Sequence, residues 1–170
     1  MIRIEYMNVG GSGDRCYEFL QWCRSEGAGV VFAGEVATYR GGAMTTMASY
    51  NVISRWGKGQ RVVAYDAAGW VDRVELAYQE ERMVILRVGE KVIVGIYGDS
   101  KAGRRNYWKW LKGVSKRVGR IEGVIIGDWN VHHRLWADTG DTLVQDGRGE
   151  KLKRWQRAGQ WMLVDPAGPT

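Results

Sequence analysis

Five polar residues stand at the ends of runs that otherwise read as buried strands: Asn8, Glu35, Tyr97, Asp128 and Asn130. In a layered sheet such ends converge on one rim, where carboxylates, amides and a phenol can surround a hard cation and a phosphate. Two carboxylates from different strands suffice to place Mg²⁺ or Mn²⁺ while leaving positions open to water and substrate. Each residue alone also has a plainer reading, because Asp and Asn are common after strands for local backbone reasons. The segment Gly127-Asp128-Trp129-Asn130-Val131-His132-His133 is more specific. Its two-residue spacing sets Asp128 and Asn130 on one side of an extended chain. There an Asp can orient an attacking water or hold a leaving oxygen, and an Asn amide can donate to a nonbridging phosphate oxygen. His132 and His133 are either further phosphate donors or loop histidines without a role. As a zinc half-site the pair lacks a thiolate and a second histidine cluster.

Regular elements must deliver these residues. Met1 to Met7 alternates with the two-residue period of a half-buried strand and ends at Asn8. After the turn Gly10-Gly11-Ser12-Gly13, Asp14 is the expected cap of a helix from Arg15 to about Glu26, with Cys16, Phe19, Leu20 and Cys23 on one stripe. Val30 to Ala33 reads as a strand buried on both faces that delivers Gly34-Glu35. An edge strand is expected at Tyr50 to Ile53, and further strands at Arg61–Tyr65, Val71–Ala77, Met83–Val88 and Lys91–Tyr97. Gly89-Glu90 forms a tight hairpin turn in this reading, and the middle section is an antiparallel meander. A helix from about Gly103 to Val118, a buried strand at Gly123–Gly127, a long loop over Val131–Gly149, a helix at Glu150–Ala158 and a short strand at Trp161–Val164 complete the chain. Such an order implies a layered mixed α/β domain of the α+β type.

The 170 residues allow one domain with a real core, 1–170, and the composition (45% hydrophobic, 26% charged) excludes wholesale disorder and a disulfide-framework miniprotein. The 24 Gly against 2 Pro, and 9 Trp against 2 Phe, are unusual. A net charge of +6 favours a polyanionic partner. Cys16 and Cys23, on one helix, stand about 10 Å apart along its axis, beyond disulfide reach, which points to buried reduced thiols in an intracellular protein. No stretch has the length of a transmembrane span, so no membrane partner is expected.

The order strand-Asn (Tyr6-Met7-Asn8-Val9-Gly10-Gly11), strand-Glu (Val31-Phe32-Ala33-Gly34-Glu35), strand-Tyr (Val94-Gly95-Ile96-Tyr97) and Gly127-Asp128-Trp129-Asn130 resembles the endonuclease/exonuclease/phosphatase superfamily. Within it, the run Gly127 to Trp136, then Asp146-Gly147-Arg148-Gly149, the Leu152 to Trp155 helix and Gly168-Pro169-Thr170 are most similar to the endonuclease domain of non-LTR retrotransposons, associated with reverse transcriptase. The resemblance implies a deoxyribonuclease-like β-sandwich flanked by helices. It makes Glu35 the principal metal ligand, with Asn8 supporting the metal or the phosphate. Tyr97 contacts the phosphate, Asp128 aligns the attacking water and Asn130 binds phosphoryl oxygens. The implied reaction is Mg²⁺- or Mn²⁺-dependent hydrolysis of DNA phosphodiester bonds, as in target-site nicking, with a nuclear location. Two departures stand out. Gly34 precedes Glu35 where the family normally has Gln or a similar residue. The family also continues past Gly-Pro-Thr into a strand carrying Asp and a final Ser-Asp-His, so the fold is expected to be incomplete at its C-terminus. A sheet lacking those strands exposes backbone groups, and a homodimer formed through it is expected.

Eight basic residues, Lys101, Arg104, Arg105, Lys109, Lys112, Lys116, Arg117 and Arg120, fall in a window without Asp or Glu. Such a helix can track a nucleic-acid backbone. The preferred reading for most of it is a solvated cationic face, with Trp108, Leu111, Ser115 and Val118 inward. Lys101, Arg104 and Arg105, close after Tyr97, are the DNA-contact candidates, together with Arg40 and His133. Trp22, Trp56, Trp70, Trp155 and Trp161 are expected to fill packing sites. Three functions are compatible with these residues: a metal-dependent endonuclease impaired by its missing strands, a catalytically inactive DNA-binding or self-associating relative, and a phosphatase of small phosphoesters. The Asp128-to-Trp136 stretch argues against the third.

Overall fold

The computed structural model describes residues 2–36, 46–54, 60–67, 73–119, 122–131 and 147–162. They fall into two units, one of Met1–Gly98 with Arg120–Trp129 and one of Asp99–Gly119 with Asn130–Thr170.

The first unit holds two sheets and a helix. One sheet has five strands in the order β1-β2-β5-β4-β3, formed by β1 (Ile4–Asn8), β2 (Val30–Gly34), β3 (Thr46–Met47), β4 (Tyr50–Val52) and β5 (Val62–Ala67). The other has four strands in sequence order: β6 (Glu75–Glu80), β7 (Met83–Val88), β8 (Lys91–Tyr97) and β9 (Gly123–Asp128). The meander expected for the middle section is confined to β6, β7 and β8. The strand before it, β5, pairs antiparallel with β2 and so belongs to the first sheet. Two pairs are parallel, β1 with β2 and β8 with β9.

Alternation along the strands builds two cores. Val30, Phe32, Val62 and Ala64 of the first sheet meet Val84, Leu86, Ile93 and Tyr97 of the second. A carbon added at Gly95 would overlap the Phe32 ring, so the glycine makes room for a fully buried aromatic. The intervening residues Val31, Ala33, Val63 and Tyr65 face Cys16, Phe19, Leu20 and Cys23 on α1 (Gly13–Ser25). This is the stripe read from the sequence. Both cysteines are buried and unbridged, and burial pushes the Cys23 thiol up to about 12. Ser12, not Asp14, caps α1: its hydroxyl accepts from Arg15 N at 3.2 Å, while Asp14 lies in the first turn. Trp22 is 47% exposed, contrary to its expected packing role, because it sits off the buried stripe.

Two strand limits differ from the expectation: β5 runs on through Asp66, a polar residue that is only 2% exposed, and β6 spans Glu75–Glu80 rather than Val71–Ala77.

The second unit pairs α2 (Arg104–Val118) with α3 (Gly147–Ala158). The inward stripe of α2 is Tyr107, Leu111, Val114 and Val118, one position off the expected Trp108 and Ser115. Ser115 instead accepts a hydrogen bond from the Trp155 indole of α3. Trp155 is buried and stacks on Trp161, as packing residues should; Trp56 and Trp70 lie outside the described residues. Trp161 and Met162 are not in a strand, and Leu163 and Val164 also lie outside the described residues.

Candidate functional site

The two parallel strand pairs of the first unit bring four of the expected residues together. In β1/β2, Asn8 is level with Gly34, so Glu35 emerges one residue further on. In β8/β9, Tyr97 is level with Asp128. Between the two sheets, Asn8 Nδ2 donates to Asp128 Oδ2 at 3.1 Å, and the Tyr97 hydroxyl donates to Glu35 Oε1. Each carboxylate thus holds a neutral donor from the other sheet.

Backbone bonds fix the loops that carry these groups. Asn8 Oδ1 accepts from Gly10 N at 2.9 Å, an Asx turn that sets the amide so that its nitrogen faces Asp128. Glu35 sits at φ +52°, a left-handed conformation uncommon for a residue with a side chain. It is held there by Glu35 N donating to Arg61 O at 2.7 Å and by Glu35 O accepting from Gly11 N at 2.6 Å. Asp128 O accepts from Gly98 N at 2.6 Å. Strained backbone of this kind persists where surrounding bonds over-determine it, and it clusters at sites that must place one side chain.

Two further residues belong to this cluster and were not among the sequence candidates. The Tyr6 hydroxyl is buried and occupies the space that a side chain at position 34 would need. Burial pushes its phenol well above the ordinary value, as do the nearby charges of Asp128 and Glu35, while a backbone interaction with Asp128 opposes the shift. Its signal in the sequence was the pairing of Tyr6, two residues before Asn8, with the unexpected Gly34. The second is Arg82, whose guanidinium lies 5.9 Å from the Tyr97 ring centroid. The two-residue turn at Gly89-Glu90 carried its signal, because counting back from that turn sets Arg82 opposite Tyr97. Tyr97 N donates to Arg82 O at 2.9 Å.

The other candidates belong to the second unit or fall outside the described residues. Asn130, at φ +51°, and Lys101, Arg104 and Arg105, at the start of α2, belong to the second unit. Arg40 and His133 lie outside the described residues. Among the described residues no group of three His, Cys, Asp or Glu side chains is placed to hold a metal ion. The Glu35 and Asp128 carboxylates are oxygen donors of the type a hard divalent cation prefers, and so fit Mg²⁺ or Mn²⁺, while the Asn8 amide turns its nitrogen to Asp128. Among the described residues no helix is long and apolar enough to cross a membrane.

The fold has known counterparts. It is similar to the endonuclease domain of TRAS1, a telomere-specific non-LTR retrotransposon, with TM-score 0.68 and 14% identity over 93% of this chain and 72% of that one. It is also similar to an AP endonuclease from Archaeoglobus fulgidus, with TM-score 0.68 and 16% identity over 94% of this chain and 70% of that one. No family model matches the sequence, and no curated protein matches it. What these likenesses show is the fold, a mixed α/β architecture of two sheets with flanking helices that is called deoxyribonuclease I-like.

Proposed function

We propose that the chain is a divalent-metal-dependent endonuclease that hydrolyses DNA phosphodiester bonds, of the kind that nicks a retrotransposon target site. One observation carries this reading: Asn8, Glu35, Tyr97 and Asp128 meet at one end of the sandwich as two donor–carboxylate pairs, Asn8 with Asp128 and Tyr97 with Glu35. Glu35 and Asp128 would hold the ion, with Asn8 supporting it through its bond to Asp128, and the ion when bound supplies Lewis-acid polarisation of a phosphoryl oxygen. The chain's own groups do the rest. Asp128 accepts a proton from the attacking water and orients it, and Asn8 keeps that carboxylate aimed. The Tyr97 hydroxyl, which donates to Glu35, would donate to a phosphate oxygen of the substrate in this reading, and the Arg82 guanidinium beside its ring adds positive charge. Asn130, Lys101, Arg104, Arg105, Arg40 and His133 are proposed DNA contacts.

The test is nicking of supercoiled plasmid with Mg²⁺ or Mn²⁺. Glu35→Gln and Asp128→Asn should each lower the rate by about 100-fold or more, since members of a catalytic set act as a unit. Full activity in both variants would remove the assigned site. The small donor set favours one second reading, a DNA-binding protein that does not cleave. It gives salt-sensitive binding with no metal-dependent nicking in the unmodified chain.

A further inference from the structure

Charge is distributed very unevenly between the two units. Among the described residues, the first unit has eight Lys and Arg against twelve Asp and Glu, whereas the second has twelve Lys and Arg against two acids, Asp99 and Glu150. The net positive charge of the described residues is thus gathered in the second unit, mostly on α2 and α3.

Part of that charge is organised around one side chain. Trp108 of α2 lies one position outside the buried stripe and is half-buried. Lys112 of the same helix and Lys151 of α3 each place Nζ 5.6 Å from its ring centroid, and Arg154 of α3 places its guanidinium carbon at 5.9 Å. Three cations from two helices share a single indole. The ring's negative face attracts each of them, which offsets part of their mutual repulsion and holds the heads close together. With its faces occupied by cations, Trp108 is not a platform for stacking bases. What it builds is a compact positive cluster suited to a run of like negative charges.

We propose that the Trp108–Lys112–Lys151–Arg154 cluster is a binding site for the phosphodiester backbone of a nucleic acid, separate from the carboxylate site of the first unit. Contacts to phosphate carry no sequence information, so the cluster anchors the strand and leaves the choice of cleavage position to other residues. The inference rests on the proposed reading that the chain binds DNA, and not on its being able to cut it.

Binding of a fluorescein-labelled 20-base-pair duplex, followed by anisotropy over a range of salt concentrations in EDTA, tests this with the full chain carrying Glu35→Gln. Each phosphate contact contributes about 0.9 to the slope of log K against log salt. The triple variant Lys112→Gln/Lys151→Gln/Arg154→Gln should flatten the slope by about two to three and weaken binding at low salt by at least about tenfold. Trp108→Leu should give a smaller loss, because the cations remain but are no longer gathered. A control triple, Arg24→Gln/Arg87→Gln/Lys91→Gln, removes the same charge from the first unit and should leave the slope unchanged. Circular dichroism checks that each variant is folded. An unchanged slope in the cluster triple, an equal loss in the control, or binding to phosphatidylserine vesicles without binding to duplex would overturn the proposal. So would a failure of the Glu35→Gln chain to bind duplex at all. If the unmodified chain does not nick plasmid but the slopes behave as stated, the hydrolytic reading fails and the anchoring site stands.

Discussion

A methyl group added at Gly34 would overlap the Tyr6 hydroxyl and ring, which are buried beside the Glu35 and Asp128 carboxylates. Gly34→Ala should therefore destabilise the chain by about 1–3 kcal/mol, the usual cost of overpacking a filled interior. Removing the overlapping oxygen in Gly34→Ala/Tyr6→Phe should recover part of that loss, as measured by urea denaturation. A neutral Gly34→Ala would mean that Tyr6 is not held over position 34. Asp66 supplies a second test at this scale. It is buried, with Oδ1 lacking a hydrogen-bond partner among the described residues, and burial raises its carboxyl pKa against the lowering effects of the Asn51 side chain and of its own backbone. The native state therefore keeps this proton to a higher pH than the unfolded chain does. Stability contributed by Asp66 is present below the ordinary carboxylate pKa and is lost as pH rises through the raised value. Asp66→Asn should match the parent below about pH 3.8 and become the more stable of the two as pH rises to neutrality, read from paired denaturation curves. The site residues were legible because each polar side chain closes an apolar run, as Glu35 does after Val30–Ala33. Tyr6 was less so, because its alternation with Ile2 and Ile4 marks it only as facing the core, against which it packs half-buried, and the nearness of its hydroxyl to the Glu35 and Asp128 charges depends on the fold.

The elements were readable wherever one period dominated. Met83–Val88 and Lys91–Tyr97 have the limits expected from their apolar runs and the turn between them, and the α1 stripe of Cys16, Phe19, Leu20 and Cys23 is buried as its spacing required. Where two stripes compete, the reading shifted. On α2, Trp108 has more apolar surface than Tyr107, yet Tyr107 aligns with Leu111, Val114 and Val118, and the aligned residue is the one buried. The same helix contains Gly113 at an exposed position, where an added carbon meets nothing within 4 Å. Its cost there is backbone entropy alone. Gly113→Ala should stabilise α2 by about 0.5–1 kcal/mol, raising the thermal midpoint by a few degrees. No gain would mean that α2 is not helical at that point in solution.

At the scale of the molecule, sheet order was the part the sequence could not show. Which strand lies beside β2 depends on contacts between distant residues, such as Val31 with Tyr65 and Ala33 with Val63, and these leave no local pattern. The order has a consequence for association. β1 ends one sheet and β9 ends the other, each paired on one side only among the described residues, and the Asn8–Asp128 bond shows that the two lie next to each other. Among the described residues, β1 and β9 thus present two rows of backbone donors and acceptors, with Met7 40% and Val124 49% exposed along them. Neither strand has a Lys or a Pro, the residues that blunt such edges. A second copy of the chain can satisfy both rows, so the protein should dimerise as its concentration rises, which light scattering coupled to size exclusion will detect. Val124→Lys puts a charge on the β9 edge away from the carboxylate end and should shift the population toward monomer while leaving the circular dichroism spectrum intact. A parent chain that remains monomeric throughout the concentration series would show that the edges do not pair in this way, and equal dimerisation in Val124→Lys would move the interface elsewhere.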